Sequence, residues 1–186
     1  MKYGEDAVCA LLELLNKHDV PYMLVGSFSS NAYGEARSTK DADFVVQLNA
    51  TQRQAIMNEL PPEFVADSQV SFETITGHTR EILKIPSVPF EIELFDLSDE
   101  PFDQSRFSRR VRSIMMGHTV WLPTAEDVVV QKLRWAKRGR RTKDFLDAQG
   151  VVKVRGARLD WDYINHWCEQ LEIGDKLDEL RSVEDG

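Results

Sequence analysis

Cysteine is scarce in this 186-residue chain, and Cys9 and Cys168 lie far apart. They fit neither a disulfide framework nor metal-ligand spacing, so a reducing, cytoplasmic setting is expected. No apolar run is long enough to cross a membrane, and a mean hydropathy of -0.38 agrees. Positive charge is in the minority: 23 Lys and Arg against 31 Asp and Glu leave a net charge of -8. That balance excludes a general nucleic-acid binder. Histidine is also sparse. His18, His78, His118 and His166 are scattered and read as surface or packing residues. The N-terminal stretch carries acids within its apolar pattern and meets no small-residue cleavage site, so no signal peptide is expected. Repeats and low-complexity segments are missing.

What is present suffices for an ordinary core, since 42% of residues are hydrophobic. Val8, Leu11, Leu12 and Leu15 recur at helical spacing within residues 5–18. An apolar run ending at Val25 reads as a buried strand, Ser27–Tyr33 as a short helix closed by Gly34, and Asp41–Leu48 as a second strand. Thr51 and Gln54 form a capping-box pattern for a helix that Pro61-Pro62 stops near Leu60. Val70–Thr76, Glu81–Ile85 and Val88–Phe95 are strand-like. Pro101–Arg110 reads as a short helix, and Val111–Met116 with Thr119–Leu122 as a hairpin. From the Thr124 cap onward the pattern is helical: Val128 to Ala136, Lys143–Val151, Trp161–Leu171 and Ile173–Leu180. The expectation is an α+β fold, a mixed sheet with flanking helices and a helical C-terminal third. Residues 1–122 would form the core, with residues 123–186 packed on it.

One spacing dominates the chemistry. Thirteen residues separate Gly26-Ser27 from Asp41-Ala42-Asp43. Strand side chains alternate, so Asp41 and Asp43 share a face while Ala42 and Phe44 take the other. Two carboxylates that close repel, and a shared proton or a divalent cation resolves the repulsion. Ser27 at a helix start offers a hydroxyl beside unsatisfied N–H groups, surroundings suited to phosphate. Alone, an acidic pair at a strand start is an ordinary solvated edge; beside Gly26-Ser27 it points to phosphoryl or nucleotidyl transfer. Arg37 and Lys40, just before the pair, read either as surface charges or as cations holding a polyphosphate over the metal.

A third carboxylate should sit on a neighbouring strand and face the same way. Glu91 and Glu93 have the right parity and Asp96 the wrong one. The alternative is a solvated sheet face, with Ile92 and Leu94 in the core. Basic residues are unevenly placed. Lys132 to Lys143 holds seven cations and no acid, Arg106, Arg109, Arg110 and Arg112 form a second cluster, and the tail after Gly174 is mostly acidic. Such asymmetry suggests a basic surface directed at phosphates, RNA most simply, or else a solvated helix face.

Gly-Ser, a short gap and Asp-Ala-Asp resemble the signature of the polymerase-beta-like nucleotidyltransferase superfamily. EARSTKDADFVV, IELFDLSDEPFDQSRFSRR and LPTAEDVVVQKLRW extend the likeness to the small bacterial AbiEii/AbiGii toxins and minimal nucleotidyltransferases, over roughly residues 20 to 150. The resemblance implies a nucleotidyltransferase fold and Mg2+ or Mn2+ as cofactor. It implies that Gly26 and Ser27 cradle the phosphates of a nucleoside triphosphate such as ATP, and that Asp41 and Asp43 hold metal. It favours Glu93 over Glu91 as third ligand, although Asp is the commoner residue there. It assigns Lys132 to the nucleotide, and matches Lys143 and Asp144 to a further feature of the family. A tRNA, protein or small-molecule acceptor is compatible, as is membership of a toxin–antitoxin pair with an antitoxin partner. Two rival readings keep the same residues. One is a non-catalytic nucleotide- or partner-binding module on this fold. The other is a metal-dependent nuclease, which has no need of Ser27.

Overall fold

The structure, a computed structural model, describes residues 4–66, 71–73 and 78–184. The chain groups into two units. One comprises residues 1–26 and 38–122, the other residues 27–37 and 123–186. Ser27–Arg37 thus belongs with the helical C-terminal part, a grouping that a division at residue 122 does not express.

In the first unit, α1 (Gly4–Lys17) turns Ala7, Val8, Leu11, Leu12 and Leu15 inward, as its 3.6-residue periodicity requires. A mixed sheet carries the rest. Its order is β1 (Tyr22–Val25), β2 (Asp41–Val46), β6 (Glu91–Asp96), β5 (His78–Lys84), β3 (Val65–Ala66), and β4 (Ser71–Glu73) also pairs with β5. Among the described residues, only β2 and β6 run parallel. Their alternation is clean. Ala42, Phe44, Ile92 and Leu94 are buried, whereas Asp41, Asp43, Glu91 and Glu93 are half-buried on the opposite face. That second face changes character along the strands. Beyond the acids, Val45 packs with Met23, Val25 and Phe107, the last from α4 (Pro101–Ser108). A hairpin of β7 (Val111–Met115) and β8 (His118–Leu122) turns through Met116 and Gly117, both at positive φ.

Three expectations shift. The helix α3 (Ala50–Glu59) is capped by Asn49, whose Oδ1 accepts from Gln52 N at 2.8 Å while Asn49 N donates to Gln52 Oε1 at 3.3 Å. The capping box therefore lies two residues before the Thr51–Gln54 pattern, because asparagine caps as well as threonine and starts the helix sooner. Strand β6 begins at Glu91, not Val88. Pro86 and Pro89 bracket turns in which Val88 N donates to Ile85 O at 2.9 Å and Phe90 N to Val88 O at 2.7 Å. Of Val70–Thr76, only Ser71–Glu73 falls within the described residues.

In the second unit, α2 (Gly26–Tyr33, from Ser27 on) accompanies four longer helices. These are α5 (Ala125–Gly139), α6 (Thr142–Arg155), α7 (Trp161–Gln170) and α8 (Gly174–Glu184). Val128, Val129, Leu133, Ala148, Val151, Ile164, Cys168, Leu177 and Leu180 form their common interior. Thr124 caps α5 by accepting from Asp127 N at 3.3 Å. Fully buried Asp127 accepts in turn from Thr124 Oγ1 at 2.9 Å and Tyr163 OH at 2.5 Å. Gly34, after α2, runs so close to Gly150 that a Cβ would fall 2.8 Å from its carbonyl carbon. Among the described residues, no helix is long and apolar enough to cross a membrane.

Candidate active site

Strand alternation and parallel register together build an acidic face in the first unit. Asp41 pairs in register with Glu91 and Asp43 with Glu93, all four pointing away from Phe44 and Leu94. Gly26 is fitted to this face. It adopts φ +60°, and a Cβ built on it would collide with Asp43 Oδ2 and lie 2.9 Å from Asp43 Cγ. A left-handed backbone with a carboxylate against its Cα admits only glycine without strain. Thr39 Oγ1 donates to Asp41 Oδ1 and so fixes that carboxylate. Lys40 is exposed, and its carbonyl accepts from Glu91 N at 3.1 Å, tying the approach to β2 to the start of β6. A cleft of about 440 Å³ opens beside Lys40, Asp41, Lys84, Glu91 and Glu93.

Glu93 is engaged. Arg80 Nη1 donates to its Oε2 at 2.7 Å. Asp96 faces the other way and takes Arg53 Nη2 at 2.6 Å, in keeping with its parity. Among the described residues, no group of three or more His, Cys, Asp and Glu side chains is arranged to hold a metal. The donor chemistry of Asp41 and Asp43 nevertheless fits Mg2+ or Mn2+. Such ions take hard oxygen ligands, and Mg2+ is commonly held by one or two carboxylates with substrate phosphates and water completing the shell.

The second unit holds a chain of charges around Ser27, which is 5% exposed. Arg37 Nη2 donates to Ser27 Oγ at 2.8 Å. The same guanidinium grips Asp147 with two parallel bonds, Nε to Oδ1 and Nη2 to Oδ2, each 2.8 Å. Lys132 Nζ lies 2.7 Å from Asp147 Oδ2 and donates to Asp144 Oδ1 at 2.8 Å. Asn31 braces the backbone of Arg37 from both sides, donating to its carbonyl at 2.7 Å and accepting from its N–H at 3.1 Å. Burial alone would raise the Asp147 pKa. Hydrogen bonds from Arg37 and the charge of Lys132 outweigh it and hold the carboxyl below the usual aspartate range.

Lys132, expected at the nucleotide, is 4% exposed and sits between two carboxylates. Asp144 thereby gains a structural partner. Asp147 was not singled out by sequence. Its signal is the i, i+3 spacing from Asp144, which puts two acids on one face of α6. The basic stretch divides as well. Lys132 and Arg134 are buried, while Lys137, Arg138, Arg140, Arg141 and Lys143 are exposed. The upstream cluster is not one surface either, because Arg106 is buried on Asp103 at 2.8 Å. Arg110 lies 4.3 Å from the centroid of Phe107.

A mixed sheet with one parallel pair, an acidic strand face and a helix entered through Gly-Ser define the nucleotidyltransferase fold. Solved structures agree. The antibiotic-resistance factor ANT(2'')-Ia, 12% identical, superposes with TM-score 0.61 over 100% of this chain and 97% of that one. An antigenic nucleotidyltransferase-like protein from Paracoccidioides brasiliensis, 18% identical, gives 0.60 over 97% and 94%. The lincosamide antibiotic adenylyltransferase LnuA, lincomycin-bound and 14% identical, gives 0.56 over 83% and 99%. At these identities the likeness establishes the fold alone. No curated protein sequence matches this chain. The family model described as nucleotidyl transferase AbiEii toxin, type IV TA system, matches residues 12–173. The chain belongs to this family and is a nucleotidyltransferase.

Proposed function

We propose that this enzyme moves a nucleoside monophosphate from a nucleoside triphosphate, ATP being the first donor to test, to an acceptor hydroxyl. The observation that carries the reading is Gly26, which forgoes a side chain for the carboxylate of Asp43 immediately before Ser27. Asp41 and Asp43 hold Mg2+ or Mn2+, with Thr39 fixing Asp41. Glu93 is the third donor and Glu91 the alternative, Arg80 competing for Glu93. When bound, the cation neutralises phosphate charge and lowers the pKa of the attacking hydroxyl. Ser27 and the first N–H groups of α2 bind the phosphate chain. Because Ser27 Oγ accepts from Arg37, its own proton is left to donate to a phosphate oxygen. Lys132 acts through Asp147 and Arg37, as a positioning residue. Lys40, exposed beside the acids, supplies a mobile cation. The acceptor oxygen bonds to the α-phosphorus as the bond to the bridging oxygen breaks, and pyrophosphate leaves in line.

The family description supports a toxin role opposed by an antitoxin. Five exposed cations from Lys137 to Lys143 favour an RNA acceptor, tRNA included, over a protein or small-molecule hydroxyl. Incubation with each labelled nucleoside triphosphate, Mg2+ or Mn2+, and separated cell RNA, protein and small molecules tests this. Label in one fraction identifies donor and acceptor class, and label in none contradicts transfer.

A further inference from the structure

A large cleft lies in the second unit. It measures about 920 Å³ and is lined by Lys153, Arg155, Arg158, Trp161 and Arg181, with Val154 among its apolar walls. The end of α6, the short turn Gly156–Arg158 and the starts of α7 and α8's last turn bring these residues together. Four cations gather here in a chain of net charge -8, so the positive field is local rather than general.

The walls are arranged rather than casual. Trp161 Nε1 donates to Gly156 O at 3.1 Å, which fixes the indole, and the Arg181 guanidinium lies 5.3 Å from the ring centroid. Arg181 is itself oriented by Asn165 Oδ1 at 2.8 Å. Arg155 lies 5.7 Å from the Tyr33 centroid, and its Nε is buried with no hydrogen-bond partner among the described residues. Arg158 is exposed. Lys153 is paired with Glu35, both largely in water, a contact of little strength.

We propose that this cleft is a second nucleotide-phosphate site, with phosphate oxyanions among Arg155, Arg158 and Arg181 and a base beside Trp161. Guanidinium groups present paired, planar donors that match phosphate oxygens. Indole stacks with any nucleobase. A carboxylate-rich peptide would use the cations but leave Trp161 without a planar partner. The volume is near the top of the range for small-ligand sites, about 300–1,000 Å³. Free nucleotides and a single strand share this chemistry. The site is independent of whether transfer occurs.

The test is fluorescence anisotropy of the full chain with a labelled single-stranded oligoadenylate, in EDTA so that metal-dependent binding is silent. The wild type should bind. Arg158→Gln should weaken binding about 10-fold and reduce the salt slope by about 0.7, the loss of one strand phosphate contact. Its melting temperature should not change, and Lys153→Gln, also exposed, should act in the same direction. Lys17→Gln, exposed in the first unit and outside the basic stretch from Lys137 to Lys143, serves as the charge-matched control and should stay within about 2-fold of wild type. Displacement of the probe by ADP would identify free nucleotide as the source of the ligand, and failure of ADP against success of unlabelled oligomer would identify a strand. No binding in EDTA, an equal loss in Lys17→Gln, or displacement by polyglutamate as effective as by either nucleotide ligand would overturn the proposal.

Discussion

Arg37 holds Ser27 and Asp147 with the same nitrogen: Nη2 donates to Ser27 Oγ and to Asp147 Oδ2, both at 2.8 Å. The serine that the sequence places at the phosphates is thus oriented by an acid 120 residues away in the chain, and that acid is in turn neutralised by Lys132. The consequence is that residues with no contact to a nucleotide can still govern how Ser27 is presented.

Lys132→Met should cost about 3–5 kcal/mol, since Asp144 and Asp147 would then face each other without their shared cation. Urea denaturation of wild type and variant measures this. A loss below about 1 kcal/mol would show that the carboxylates find water or other partners.

Acid should expose the same network. A carboxyl whose folded pKa is depressed contributes stability that is complete above its unfolded value and fades as pH falls through the folded one. For Asp147 the loss begins below the ordinary value of 3.8. Asp147→Asn should therefore be less stable than wild type at pH 6, and the gap should narrow as pH drops below about 3.8. Denaturation midpoints across that range decide the matter; a constant gap would mean that the charge of Asp147 contributes nothing.

Burial pushes the Cys168 thiol up to about 12, and a thiol at that value is inert near neutrality. Cys9 is also raised, by its own burial and then by Asp6, Glu13 and Glu5, but is only half-buried. A thiol reagent at pH 8 should modify Cys9 slowly and Cys168 only on unfolding. Equal rates for both would contradict the packing of α7 against its neighbours.

Arg80→Gln should remove a cation that competes for Glu93 and so tighten Mn2+ binding, and adding Glu93→Gln should reverse the gain. Paramagnetic titration of free Mn2+ gives both affinities. An unchanged affinity in Arg80→Gln would shift the third-ligand role to Glu91.

The fold was readable where local rules act unopposed. The period of α1, the hairpin at Gly117 and the Thr124 cap are written in adjacent residues. So was the parity that sets Asp41, Asp43, Glu91 and Glu93 on one face, because alternation is a property of every strand. Long-range pairing was not readable. Nothing near Glu93 announces that Arg80 from β5 will meet it, since that contact depends on antiparallel register. Lys132 illustrates the other limit. A lysine on an apolar helical stripe must find a partner or reach water, and only the packing of α6 reveals that Asp144 and Asp147 are those partners. The capping box slipped by two residues because Asn49 and Thr51 both satisfy the same local rule.

The most direct test of the central claim is transfer of radiolabel from an α-labelled nucleoside triphosphate into separated cell RNA and protein, in Mg2+ or Mn2+, by wild type, Asp41→Asn and Asp43→Asn. Each variant should retain the wild-type circular dichroism spectrum and lose transfer by at least about 100-fold, since each carboxylate serves the same ion. Label incorporated by either folded variant at the wild-type rate would contradict the assignment of the acidic strand face as the metal site.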